Sequence, residues 1–189
     1  MKKLATIIIF ISVLFFGYAQ NTSIFIQKQS TFNKNGYRPL FIMNPEHDFN
    51  SKIGISSLVV LNPGWAEILI GPKWMITPEL TIKALIGYEQ APEGIPLRGF
   101  IGVTYFGKKW STLTFAEYGN TGYWYLHSTL YKVHKYLKAG VHAQRFVGIG
   151  PRIDIPIGKF NFWNAYVYDI ESKTQGYTMG LSLYLQTQK

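Results

Sequence analysis

The sequence contains no cysteine, which removes disulfides and thiol chemistry and leaves stability to the fold itself. Charge is scarce: Asp, Glu, Lys and Arg make up 15% of the chain, against about a quarter of an average soluble domain. Something other than water is therefore expected to face part of the surface. Beyond Phe16 no apolar run reaches the length of a membrane helix, which excludes a helical membrane protein. Histidines number four. No glycine-rich phosphate loop, Gly-x-Ser-x-Gly elbow, His-Glu-x-x-His helix or calcium-loop spacing occurs, and Gly148-Ile149-Gly150 lacks the downstream helix of a dinucleotide site. No cofactor and no metal site is expected.

The amino terminus sets the compartment. Met1-Lys2-Lys3 is a short basic start, Leu4 to Phe16 an apolar run, and Gly17-Tyr18-Ala19 places small residues before a cleavage point after Ala19. That is the grammar of a secretory signal peptide over 1–19, so export is expected. Loss of Lys2 and Lys3 takes the formal charge from +9 to +7. Scattered lysines on an exported chain suit anionic lipid headgroups better than nucleic acid. Outer-membrane lipid is the expected partner, with no nucleic acid.

From Ile53 onward the chain divides into segments of about ten residues, many of them alternating, punctuated by Gly, Pro, Asn and Lys, as in a transmembrane β-barrel. Ten strands are predicted: Ile53–Leu61, Trp65–Trp74, Leu80–Glu89, Pro96–Phe106, Trp110–Tyr118, Tyr123–Val133, Tyr136–Phe146, Ile149–Ile157, Phe160–Ile170 and Gly176–Gln186. Leu80, Ile82, Ala84, Ile86 and Tyr88 share one face of the third, with Leu85 as the exception. Connections are expected to alternate between short, as at Thr77-Pro78 and Gly158-Lys159, and longer, as at Gln90–Ile95. The segment 20–52 has two readings. Ser23–Lys28 and Tyr37–Met43 add two strands, with Asn44 to Asp48 as a loop, or the segment is a lead or plug outside a barrel domain of 53–189.

This pattern resembles the small bacterial outer-membrane β-barrel proteins, an architectural class without a diagnostic motif. The resemblance covers Ile53 to Gln186. It implies an all-β, closed antiparallel up-and-down transmembrane barrel of about ten strands, with eight or twelve as alternatives, in the outer membrane of a Gram-negative-type bacterium. The role it implies for a monomer is structural, adhesive or small-solute binding and transport. Phe160, Phe162, Tyr166, Tyr168, Tyr177 and Trp124 are the expected aromatic girdle.

The stretch YWYLHSTLYKVHKY, Tyr123 to Tyr136, tests for chemistry. Neighbours on a strand point to opposite faces, so His127 and Ser128 form no dyad. Outer-membrane lipid A deacylases place a His and a Ser two residues apart on one face, and here the residue two beyond His127 is Thr129. A lipid-modifying enzyme of that acyl hydrolase or transferase type is the alternative function, with His127 and His142 as its only candidate bases; a soluble secreted barrel holding an apolar ligand is a further one. Taking Trp124, Leu126 and Leu130 as the lipid side sends Tyr125, His127, Thr129 and Tyr131 into the lumen. A two-residue turn at His134-Lys135 would then set His127 opposite His142. The expected polar network of the lumen is Glu67, Lys83, Arg98, His127, His142, Gln144, Arg152 and Asp154, because ionisable groups at membrane depth must face inward and find partners.

Overall fold

In the computed structural model, which describes residues 21–34, 36–90 and 94–187, twelve antiparallel strands close into one barrel. In chain order they are β1 (Thr22–Asn33), β2 (Gly36–Asp48), β3 (Ile53–Asn62), β4 (Trp65–Met75), β5 (Leu80–Glu89), β6 (Leu97–Phe106), β7 (Trp110–Gly119), β8 (Gly122–His134), β9 (Leu137–Gln144), β10 (Gly148–Ile157), β11 (Phe160–Asp169) and β12 (Thr174–Gln186). Each pairs with its sequence neighbours, and β1 closes the ring on β12 from Ser23↔Gln186 to Asn33↔Gly176. The expected signal peptide lies outside the described residues.

The count is twelve and not the expected ten because both N-terminal segments are barrel wall. β1 and β2 pair along their length, from Thr22↔His47 to Asn33↔Gly36. Asn44 to Asp48, expected as a loop, is the end of β2. Proline disguises it. Pro45 has no N–H for a ladder, and the β2–β3 register skips residues 44 and 45; there the Asn44 side-chain amide donates to the Ser57 carbonyl.

Connection lengths do not alternate as expected. On the face that holds the chain ends they are 49–52, 76–79, 107–109, 135–136 and 158–159. On the opposite face they are 34–35, 63–64, 90–96, 120–121, 145–147 and 170–173. Only 90–96 is longer than four residues.

Alternation along each strand separates a wet or packed interior from an apolar outer belt. On β5, Ile86 and Tyr88 face outward while Lys83, Leu85 and Glu89 are buried inward. Leu85 breaks the pattern by residue type and keeps it by position, packing in the lumen with Leu58, Val60, Leu69 and Phe100. Ile68, Ile70, Ile101, Ile149, Ile153 and Ile155 stand on the outer face, with Phe160, Phe162, Tyr166, Tyr168 and Tyr177 among its aromatics. Trp124, expected with them, faces inward.

A set of side chains is fully buried inside the barrel. Leu69, Val167, Thr178 and His142 are 0% exposed, and Trp163 and Gln29 1%. Trp163 spans the interior because Gly180 opposite it on β12 leaves room: a Cβ there would run into the indole.

Gly180→Leu is therefore expected to lower the urea midpoint of the folded barrel, followed by its heat-modifiable gel mobility, by an amount corresponding to about 1–3 kcal/mol. Met179→Leu, one residue away on the outer face, should leave the midpoint nearly unchanged. The reverse order would refute the face assignment.

Candidate functional site

The histidines come first, because β8 is turned over relative to expectation. Trp124, Leu126, Ser128 and Leu130 point into the barrel, and Tyr123, Tyr125, His127, Thr129 and Tyr131 point out. Two causes combine. The lumen beside β8 is itself apolar, lined by Phe115 opposite Leu126, so hydrophobicity marks the wrong face. A register irregularity between Lys132 and His134 also shifts the β8–β9 pairing by one, and with a period of two a one-residue slip exchanges the faces. His127 consequently opposes Ala143, and Ser128 opposes His142. The expected His127–His142 pair does not form.

His127 sits on the outer wall with both ring nitrogens occupied. Thr114 Oγ1 lies 2.9 Å from Nδ1 and Thr129 Oγ1 3.0 Å from Nε2, and Thr112 Oγ1 is 3.1 Å from that of Thr129. This hydrogen-bonded row lets polar side chains stand in an apolar belt. His142 is buried against the Trp163 ring at 5.4 Å, and neither of its nitrogens has a hydrogen-bond partner. Ser128 donates to the Val141 carbonyl at 3.3 Å and not to His142. Neither histidine is arranged as a base for a nucleophile.

At the face opposite the chain ends the lumen opens into a vestibule of about 580 Å³. Its charged centre is Arg98, the second residue of β6. The ends of β4, β5 and β7 bring Glu67 to 3.0 Å, Glu89 to 2.8 Å and Glu117 to 2.8 Å of that guanidinium. All four are at least nine-tenths buried: Arg98 is 3% exposed and Glu67, Glu89 and Glu117 are 4%, 3% and 5%. The Thr121 backbone N–H donates to Glu89 at 3.0 Å, and Arg98 reaches the Gly122 carbonyl at 3.3 Å. Trp65 lies under the guanidinium with its ring centre 5.5 Å away.

The floor of the vestibule is a neutral amide bridge. Gln29 on β1 donates to Gln144 Oε1 on β9 at 3.1 Å, a bond that crosses the lumen because three strands separate the two along the wall. Below it Trp163 donates to Gln27 at 3.2 Å, and the Arg152 guanidinium lies 4.0 Å over the same indole.

Nearer the chain ends two further ionic groups fill the interior. Lys73 contacts Glu46 and Asp48 at 2.7 Å each, and Lys83 pairs with Glu46. Arg152 meets Asp154 at 2.6 Å, and Asn161 donates to Asp154 at 2.6 Å. Of the eight expected lumen residues, Glu67, Lys83, Arg98, His142, Gln144, Arg152 and Asp154 face inward and His127 does not, but they fall into separate groups and form no single network.

Several residues of the vestibule lay outside the expected network. Glu117 carried a readable signal, being an ionisable residue within a strand at barrel depth. Gln29 gave none, because its strand was ambiguous and an amide has no charge that demands a partner. Trp124 was expected in the girdle and Trp65 was not singled out, yet both line the vestibule.

No family model matches the sequence, and no curated protein matches it by sequence. Solved structures match by shape. The KdgM porin superposes with a TM-score of 0.56 at 12% identity, over 84% of this chain and 98% of that one. The KdgM porin in complex with disordered oligogalacturonate gives 0.54 at 13%, over 85% and 98%. The NanC porin gives 0.52 at 6%, over 85% and 100%. The likeness is one of fold: a closed antiparallel barrel of the bacterial outer-membrane class.

Arg98→Met removes the one guanidinium that three buried carboxylates share, and is expected to destabilise the barrel by about 3–5 kcal/mol, read as a lowered urea midpoint. Adding Glu117→Gln should recover part of that loss; an additive penalty would sink the shared-partner reading. Placement of the histidines has its own check. In a lipid-reconstituted barrel, His127→Cys should react with a bilayer-partitioning maleimide and His142→Cys should not.

Proposed function

We propose that this chain is an outer-membrane barrel that takes a small solute into the vestibule and is not a wide, permanently open pore. The observation that carries this reading is the pairing of an accessible cavity at one face with a closed lumen beneath it. A cavity of about 580 Å³ falls within the roughly 300–1,000 Å³ of small-molecule sites. Below it Leu69, His142, Trp163, Val167 and Thr178 are at most 1% exposed. An apolar outer belt with aromatics supports a lipid-embedded barrel, exported by its leader as a monomer, with the vestibule, opposite the face that holds the start of β1 and the end of β12, turned away from the periplasm. Porin neighbours, one of them in complex with oligogalacturonate, support a solute role by analogy of fold.

The lipid-modifying alternative finds no support in the wall. His127 is held by threonines on the outer face, and His142 is 0% exposed with no hydrogen bond from Ser128, which donates to the Val141 carbonyl. A soluble barrel with an apolar ligand fits poorly with a polar vestibule and an apolar exterior.

Planar-bilayer recording tests the reading. The purified barrel is expected to show no steady conductance at low voltage. Gln29→Ala combined with Gln144→Ala, which removes the bridge across the lumen, should produce measurable openings. A large constant conductance from the unaltered protein would overturn the closed-lumen proposal.

A further inference from the structure

We infer that the ligand of the vestibule is a neutral, polyhydroxylated ring compound of mono- to disaccharide size. This rests on the vestibule being a solute site and adds the chemical class of the solute. Charge is the first ground. Arg98 is committed to three carboxylates, and Arg145 at the rim is held by Glu171 at 3.2 Å and lies 3.7 Å over the Tyr123 ring. Arg38 is the remaining lining arginine and it is exposed at the mouth. Three arginines stand against four glutamates, so no buried cation is left to receive an anionic ligand, and burying an unpaired carboxylate beside three others is costly.

Hydrogen-bonding capacity is the second. Gln29 Oε1 lines the cavity on a residue that is 1% exposed, and it has no hydrogen-bond donor. Glu67, beside it in the lining, is already held by Arg98 at 3.0 Å. A buried acceptor without a donor calls for a ligand that brings one. Hydroxyl groups do so, and carboxylates and alkyl groups do not.

Aromatic surface is the third. Trp65 on β4 and Trp124 on β8 line the same cavity from well-separated strands. Flat indole faces beside polar groups suit a ring that has an apolar C–H face and a hydroxylated edge. Hydroxyls on the edge then meet Gln29, while the ring face lies on tryptophan. The bound tryptophans also supply a built-in optical signal.

The test uses the full-length folded barrel in detergent, titrated with maltose, cellobiose, lactose and sucrose, and with digalacturonate and the chitosan dimer as charged counterparts. Tryptophan fluorescence and calorimetry read binding. At least one neutral disaccharide is expected to saturate. Trp124→Ala should weaken it by about tenfold or more, Trp124→Phe much less, and Gln29→Met by about fivefold, all with heat-modifiable mobility intact. Tighter binding of digalacturonate or the chitosan dimer, lost in Trp124→Ala, would overturn the neutral class while leaving the vestibule as a solute site. Saccharide binding that survives both Trp65→Ala and Trp124→Ala would overturn the site. No binding by any probe to a barrel that is demonstrably folded would overturn both readings.

Discussion

Everything in this protein depends on the pairing of β1 with β12. Until Ser23 meets Gln186 and Asn33 meets Gly176, the sheet has two open edges whose N–H and C=O groups would be stranded in hydrocarbon. Closure satisfies them and at the same moment creates an inside. The alternation along each strand acquires meaning only then, since one side becomes belt and the other lumen.

Once the inside exists, its charges must be disposed of, and the molecule does so in local groups. Arg98 gathers three carboxylates at one face, Glu46 gathers two lysines near the other, and Arg152 lies between Asp154 and Trp163. Between them the wall turns apolar on the β2–β7 side, with Leu58, Leu69, Leu85 and Phe100. The opposite side is closed by amides, hydroxyls and Trp163. Buried side chains lie between the ionic groups, and the low local polarity strengthens each pair.

Much of this was legible in the sequence. The strands from β3 to β12 and the inward course of Lys83, Glu89, Arg152 and Asp154 follow from period-two alternation, because a membrane barrel cannot hide an ionisable residue on its lipid face. What was not legible had specific causes. β1 and β2 were obscured by Pro39 and Pro45 and by the polar residues Gln27, Gln29 and Thr31, which pack inside but read as loop. β8 was inverted because Leu126 and Leu130 fill an apolar lumen while Thr112, Thr114, His127 and Thr129 satisfy one another outside. The register irregularity near Lys132 has no composition signature, and it separates His127 from His142 across the β8–β9 pair. The vestibule was visible only in fragments: Arg98 and Glu67 announced themselves by charge, but the tryptophans lining the same cavity needed the register.

The short connections around the vestibule have a further consequence. With two to four residues in five of the six connections on that face, recognition beside those connections belongs to side chains anchored in the wall. A solute taken up as proposed would meet wall side chains already held by the sheet, and little chain entropy would be lost when it docks. The same economy leaves few pliant segments for a protease or an antibody to grip, which makes this rim a sparse target as well as a rigid one.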